Sequence, residues 1–234
     1  MSPPTESPRR IWIEALAFWA LTAVSIRLAV SSGLSDDIVS VVKSLALVYL
    51  PLGWILYTRR DFERYALTLK GWRESLALFA VVSLVTLVPF WTANHLFETV
   101  IQENRFVWLG GMTRREAGEL ATIVGWLSLV AGEVLAVALP EEVFYRGYFQ
   151  SRIGEATPAK WTLLGVRVGW ALPIASLVFV AGHLAVRPAA WQLGIFFPGL
   201  VFGWMRLRSG SLLAPVLYHA LCNLGMYVLQ RSYV

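Results

Sequence analysis

Apolar residues in this chain fall in blocks long enough to cross a lipid bilayer, at about residues 11–30, 38–57, 75–97, 120–139, 161–186, 191–205 and 211–229. A segment in lipid must satisfy its own backbone hydrogen bonds, so blocks of this length are read as helices. Of the 234 residues 57% are hydrophobic and 15% charged, against roughly a quarter charged in soluble domains. A soluble enzyme, a nucleic-acid-binding domain and a disordered chain are excluded on that ground. The net charge of +5 does not point to nucleic acid, because the basic residues lie between the apolar blocks. There they orient helices and meet anionic headgroups. The single cysteine, Cys222, leaves no internal disulfide and no cysteine-rich metal site. The expected fold is an all-α, polytopic transmembrane helix bundle of about seven to eight helices around an intramembrane polar cavity.

Residues 1–10 are Pro- and Ser-rich, then charged, and are expected to be a disordered tail ahead of a single membrane domain over 11–234. Arg9 and Arg10 before an apolar stretch imitate a secretory signal. The stretch is too long for one and lacks a small-x-small cleavage site, so it reads as a first, uncleaved span. Several boundaries carry local signals. Thr113 and Glu116 have capping-box spacing, Thr157-Pro158 reads as a helix start, and Ser209-Gly210-Ser211 reads as a tight turn. Gly199 and Gly203 form a small-x-x-x-small pair, by default a packing feature. With a cytoplasmic N-terminus, twelve basic residues (Arg9, Arg10, Arg59, Arg60, Arg64, Lys70, Arg73, Arg146, Arg152, Lys160, Arg206 and Arg208) lie inside and five (Arg105, Arg114, Arg115, Arg187 and Arg231) outside. That bias sets the expected orientation.

Ionisable residues inside spans are costly and are functional candidates by default. Glu14, Arg27 and Arg167 lie near predicted ends, where snorkelling to the interface suffices. Lys43 and Glu133 lie deeper, each either a structural pair or part of a wet cavity. The run Pro140-Glu141-Glu142-Val143-Phe144-Tyr145-Arg146 stands out. On a helix Glu142 and Arg146 are four apart and can pair. Glu141 is turned about 100° away, free to face a cavity and handle a proton. A plain helix-end salt bridge with a spare glutamate is the competing reading. Of the three histidines, His95 reads as structural. His219 and Asn223, four apart, put two hydrogen-bond donors on one face, an arrangement that suits a developing oxyanion.

Glu141-Glu142-x-x-x-Arg146, Phe179-x-x-x-His183 and His219-x-x-x-Asn223, in that order, resemble the motifs of the CPBP family. These are the CAAX-protease and bacteriocin-processing (Abi) intramembrane glutamic endopeptidases. The stretch from Gly199 through Arg208 and Pro215 to His219 is also similar to the family's segment between its last motifs, and the likeness covers about 120–230. The resemblance implies metal-independent peptide hydrolysis in the membrane, with no cofactor and no metal. Glu141 with His183 would bind and activate water, His219 and Asn223 would stabilise the oxyanion, and Glu142 and Arg146 would orient the site. An aspartyl mechanism lacks embedded aspartates, since Asp36, Asp37 and Asp61 lie near loops. The His-Glu-x-x-His signature of zinc proteases is absent, though the carboxylates and histidines could in principle bind zinc. A serine dyad would rest on Ser211, which has a capping role available.

Hydropathy and motifs conflict at one point. If the fourth span ends at Leu139, Glu141 and His183 approach opposite faces, and a shared water must lie within about 3 Å of each. The motif reading therefore predicts that the fourth helix continues to about Gln150 and that residues 158–168 are interfacial or tilted. The expected function is an intramembrane endopeptidase acting on membrane-associated or membrane-tethered proteins, in CAAX-like or sorting-tail processing. The expected location is a bacterial inner membrane, and the partners are a protein or peptide substrate and lipid, not nucleic acid. A non-catalytic membrane peptide-binding or immunity protein, and a small proton-coupled transporter using Glu133, Glu141 and the histidines, are the alternatives.

Overall fold

A computed structural model of the chain describes residues 6–234. Its helices are α1 (Pro8–Ser31), α2 (Ile38–Tyr57), α3 (Trp72–Ile101), α4 (Arg114–Glu119), α5 (Ile123–Ala156), α6 (Ala171–Val186), α7 (Phe196–Ser209) and α8 (Leu213–Ser232). The fold is an all-α bundle. Four helices, α1, α2, α3 and α5, are long and apolar enough to cross a membrane, fewer than the seven blocks suggested.

The difference has a local cause. The block at 161–186 is two elements: a β-hairpin of β1 (Trp161–Leu163) and β2 (Val166–Val168), then the 16-residue α6. A hydropathy window averages the hairpin into the helix that follows. Leu164 and Gly165 both have positive φ, 48° and 77°, the two-residue turn whose twist suits a hairpin. Thr157 does not start a helix; its hydroxyl donates to the Ile153 carbonyl at 2.7 Å and closes the last turn of α5.

α5 runs unbroken through Glu141 to Ala156, which resolves the conflict between window and motifs. Its first half is apolar and largely exposed. From Ala138 to Ile153 nearly every residue is buried, so this half is the bundle's central post. Phe144, Tyr148, Phe149 and Ile153 pack with Ala15 of α1, Leu47 and Ile55 of α2, Phe179 of α6, Phe202 and Met205 of α7, and Tyr218 of α8. Two segments of α5, Glu133–Ala138 and Val143–Phe149, are π-helical. Such widened turns are rare and cluster at functional sites.

The expected tail is partly structured. Residues 1–5 lie outside the described residues, while the helix already begins at Pro8, with the Ser7 hydroxyl accepting from the Arg10 N–H. Proline at the first helical position has no N–H to leave unsatisfied. Glu6 and Glu14 then bind Arg60 and Arg152, at 2.7 and 2.8 Å for Glu6 and 2.8 and 2.9 Å for Glu14. Glu14 also accepts from the Tyr148 hydroxyl at 2.9 Å. Glu14 therefore does not snorkel; it enters a network that ties α1 to α5. At the opposite end Val107 N–H donates to the Ser232 carbonyl at 2.9 Å, and Glu116 pairs with Arg231. Thr113 and Glu116 form the anticipated capping box.

Candidate active site

Glu141 and Glu142 lie deep in the bundle, 4% and 0% exposed, and they face different partners. Glu142 Oε2 is 3.4 Å from Arg146 Nε, the pair expected from their spacing. Its Oε1 accepts from His219 Nδ1 at 3.0 Å, a bond between α5 and α8. Arg146, itself fully buried, donates to the Gly199 carbonyl at 3.3 Å. Its guanidinium carbon sits 4.3 Å over the Phe179 ring and 5.1 Å over that of Phe202. Aromatic faces attract such a cation, so the arginine is held on four sides.

Gly199 and Gly203 make that contact possible. A Cβ at Gly203 would stand 2.5 Å from Leu172 Cδ1 and 2.6 Å from Gln150 Oε1, and one at Gly199 would stand 3.4 Å from Arg146 Nη2. The two bare positions let α5 side chains reach the α7 backbone, for Gln150 also donates to the Gly203 carbonyl at 3.1 Å. The small-x-x-x-small pair thus packs helices and orients Arg146 at once.

Glu141 turns away from Arg146, as the helical rotation required. Its Oε1 is ion-paired with Lys43 of α2. Its Oε2 is buried without a hydrogen-bond partner among the described residues. It stands 3.9 Å from His183 Nε2 and 3.8 Å from His219 Nε2. Both ring orientations follow from their other nitrogens. His183 Nδ1 lies 3.0 Å from the Phe179 carbonyl, which only accepts, so this nitrogen carries the hydrogen. His219 Nδ1 gives its hydrogen to Glu142 in the same way. Phe179 meets the His183 ring edge-on at 4.6 Å and Phe202 stacks on His219 at 4.7 Å. Two ring nitrogens, from α6 and α8, therefore converge on one carboxylate oxygen of α5.

Glu141 and His183 line a cavity of about 130 Å³ together with Lys43, Tyr145, Arg187 and Gln192, among others, while His219 lies outside that lining. Asn223 makes no hydrogen bond to the converging atoms among the described residues; its Nδ2 donates to Glu133 Oε2 at 3.1 Å. That bond also answers for Glu133, which pairs within the structure. Lys43 is the neighbour that sequence reasoning missed as a site residue, although a lysine inside an apolar block was the available signal. His95 meets the Tyr233 hydroxyl at 2.9 Å, far along the chain from these motifs. Among the described residues no three His, Cys, Asp or Glu side chains are grouped as a metal site.

Residues 123–225 match the family model described as type II CAAX prenyl endopeptidase Rce1-like. No curated protein and no solved structure matches the chain. The matched segment contains all three motifs and excludes Lys43. With four helices among the described residues able to span a bilayer, the chain is an integral membrane protein, and its residues 123–225 are similar to the Rce1-like proteases of the CPBP family.

Proposed function

We propose that this chain is a metal-independent glutamic endopeptidase that cleaves membrane-associated proteins within the bilayer. One observation carries the reading: the buried, unpartnered Glu141 Oε2 stands 3.8–3.9 Å from two histidine Nε2 atoms. Those gaps are too long for direct hydrogen bonds and leave room for a water between the carboxylate and either ring. With both Nδ1 atoms already protonated, all three converging atoms are acceptors, and a water offers only two hydrogens. A water shared by all three requires one further proton among them. We assign it to His219, whose imidazolium would be supported by Glu142.

Glu141 takes a proton from water while the oxygen attacks the peptide carbonyl carbon, with His183 Nε2 orienting the water. His219 Nε2–H and the second N–H of Asn223, held by Glu133, face the resulting oxyanion. Glu141 then delivers its proton to the leaving nitrogen, the C–N bond breaks, and a carboxylic acid and an amine result. Lys43 is the resident cation at this carboxylate, and it supports a mechanism without a metal ion. Glu142 and Arg146 orient His219. Tail processing of the CAAX-like or sorting-tail kind is the assigned reaction, in a bacterial inner membrane with the N-terminus cytoplasmic. That orientation agrees with the segregation of basic residues, since Arg60, Arg64, Arg152 and Arg206 gather at the N-terminal end of the bundle.

The test compares protein termini in membranes holding the wild type or Glu141→Ala at matched abundance. Precursors that keep their tails only in the variant support the proposal and name the substrates. Identical termini, with those substrates expressed, would replace it with non-catalytic peptide binding.

A further inference from the structure

Beyond the last turns of α5 lies a second cavity, of about 240 Å³, lined by Arg64, Arg167, Arg206, Gln150, Ser151 and Glu155, among others. It shares no lining residue with the Glu141 cavity. The lining charge is lopsided. Glu155, the one carboxylate, is already ion-paired with Arg152 and, at 3.1 Å, with Arg64. Arg167 reaches in from β2, its guanidinium donating to the Ala159 carbonyl at 3.0 Å.

Arg206 is the telling residue. Its Nη2 donates to the Arg64 carbonyl at 3.1 Å and to the Ser151 hydroxyl at 2.5 Å. Its Nε is buried with no acceptor, and no carboxylate among the described residues lies within ion-pair distance. At the same end of the bundle, Arg60 and Arg152 each hold two or three carboxylates. A guanidinium with a shielded nitrogen and no counter-charge is costly in a protein, and half-buried Arg206 lines an open cavity. The planar fork of arginine suits tetrahedral oxyanions with two or more acceptors.

The cavity's level matters too. It follows the end of a membrane span, and its wall includes the segment 157–172, on which Trp161, Leu163, Leu164 and Trp170 are all exposed. Trp161 and Trp170 meet edge-on at 5.1 Å. Exposed tryptophan beside arginine is how proteins anchor at headgroup depth.

We propose that this cavity binds a phosphate-class oxyanion, a lipid headgroup phosphate or the free anion, with Arg206 as the anchoring donor and Arg64 and Arg167 at its mouth. The inference does not rest on the peptidase reading. Delipidated protein in neutral detergent is titrated separately with sodium phosphate, phosphatidylglycerol and phosphatidylcholine. Thermal midpoints and lipid adducts by native mass spectrometry are the readouts. Phosphatidylglycerol should bind more tightly than phosphatidylcholine and raise the midpoint. Arg206→Gln should abolish that preference, and Arg167→Gln, on the exposed hairpin, should weaken it about fivefold, as for one basic residue near an anionic headgroup. A response to sodium phosphate without any lipid preference assigns the site to a soluble anion. Equal binding by wild type and both variants, or no binding of either anion, overturns the proposal. Should Arg206→Gln fail to fold, Arg167→Gln alone decides.

Discussion

His219 Nδ1 and Glu142 Oε1 share a hydrogen bond of 3.0 Å between residues 77 apart in sequence. The bond fixes which ring nitrogen of His219 turns towards Glu141. Glu142→Gln retains an acceptor but removes the charge that supports an imidazolium. The expected loss is roughly 10²–10³ in kcat, the scale of one oxyanion-stabilising donor, with KM little changed. Single-turnover cleavage of a reconstituted substrate measures it; a kcat within threefold of wild type would sink the assigned role of His219.

Lys43 and Glu141 should behave as a coupled pair. Removing one member of a buried ion pair strands the other, at a cost of about 3–5 kcal/mol, and Lys43 is only partly exposed. Lys43→Met should therefore lower the unfolding midpoint in detergent, and Lys43→Met/Glu141→Gln should recover most of the loss. Strictly additive effects would mean that the contact carries no coupling energy.

Gly203 and Gly199 predict a graded response. A methyl at Gly203 would overlap Leu172 and Gln150, whereas at Gly199 the nearest atoms stand 3.3–3.4 Å away. Gly203→Ala should destabilise by about 1–3 kcal/mol, the usual range for overpacking, and Gly199→Ala by less. Thermal unfolding of the two variants ranks them, and the reverse order would contradict the packing described.

The C-terminal clamp should loosen in acid. The Thr113 N–H and the Arg231 guanidinium hold the Glu116 carboxyl down to about 2, from an ordinary 4.5. A carboxyl lowered on folding stabilises fully above 4.5, and the contribution is lost as pH falls through about 2. Hydrogen exchange in residues 105–119 should therefore be more protected at pH 5 than at pH 3, after correction for the intrinsic rate. Arg231→Gln should remove part of that difference and leave the part due to Thr113. Identical corrected protection in wild type at the two values would refute it.

The bundle and the candidate site were legible to different depths. Apolar blocks announced α1, α2, α3 and α5 because lipid demands long uninterrupted helices. They concealed the hairpin at Trp161–Val168, whose six paired residues are too few to interrupt a window average. The i,i+4 rule found Glu142 with Arg146 because both sit on one helix. It had no means of finding His219 with Glu142, Lys43 with Glu141 or Asn223 with Glu133, since cross-helix pairing leaves no period in a sequence. Glu14 looked peripheral for the same reason: its partners Arg60 and Arg152 are brought to it by two other segments.

Lys43 has a consequence for how such chains are recognised. The three motifs and the family match all fall within residues 123–225, yet the cation in contact with Glu141 comes from α2. The charge balance of the site is therefore divided between a segment that carries the signature and one that does not. A chain sharing these motifs but holding a neutral residue at the corresponding point of its second helix would present a differently poised carboxylate. Motif identity alone would treat the two as equivalent, while their pH–rate profiles would tell them apart.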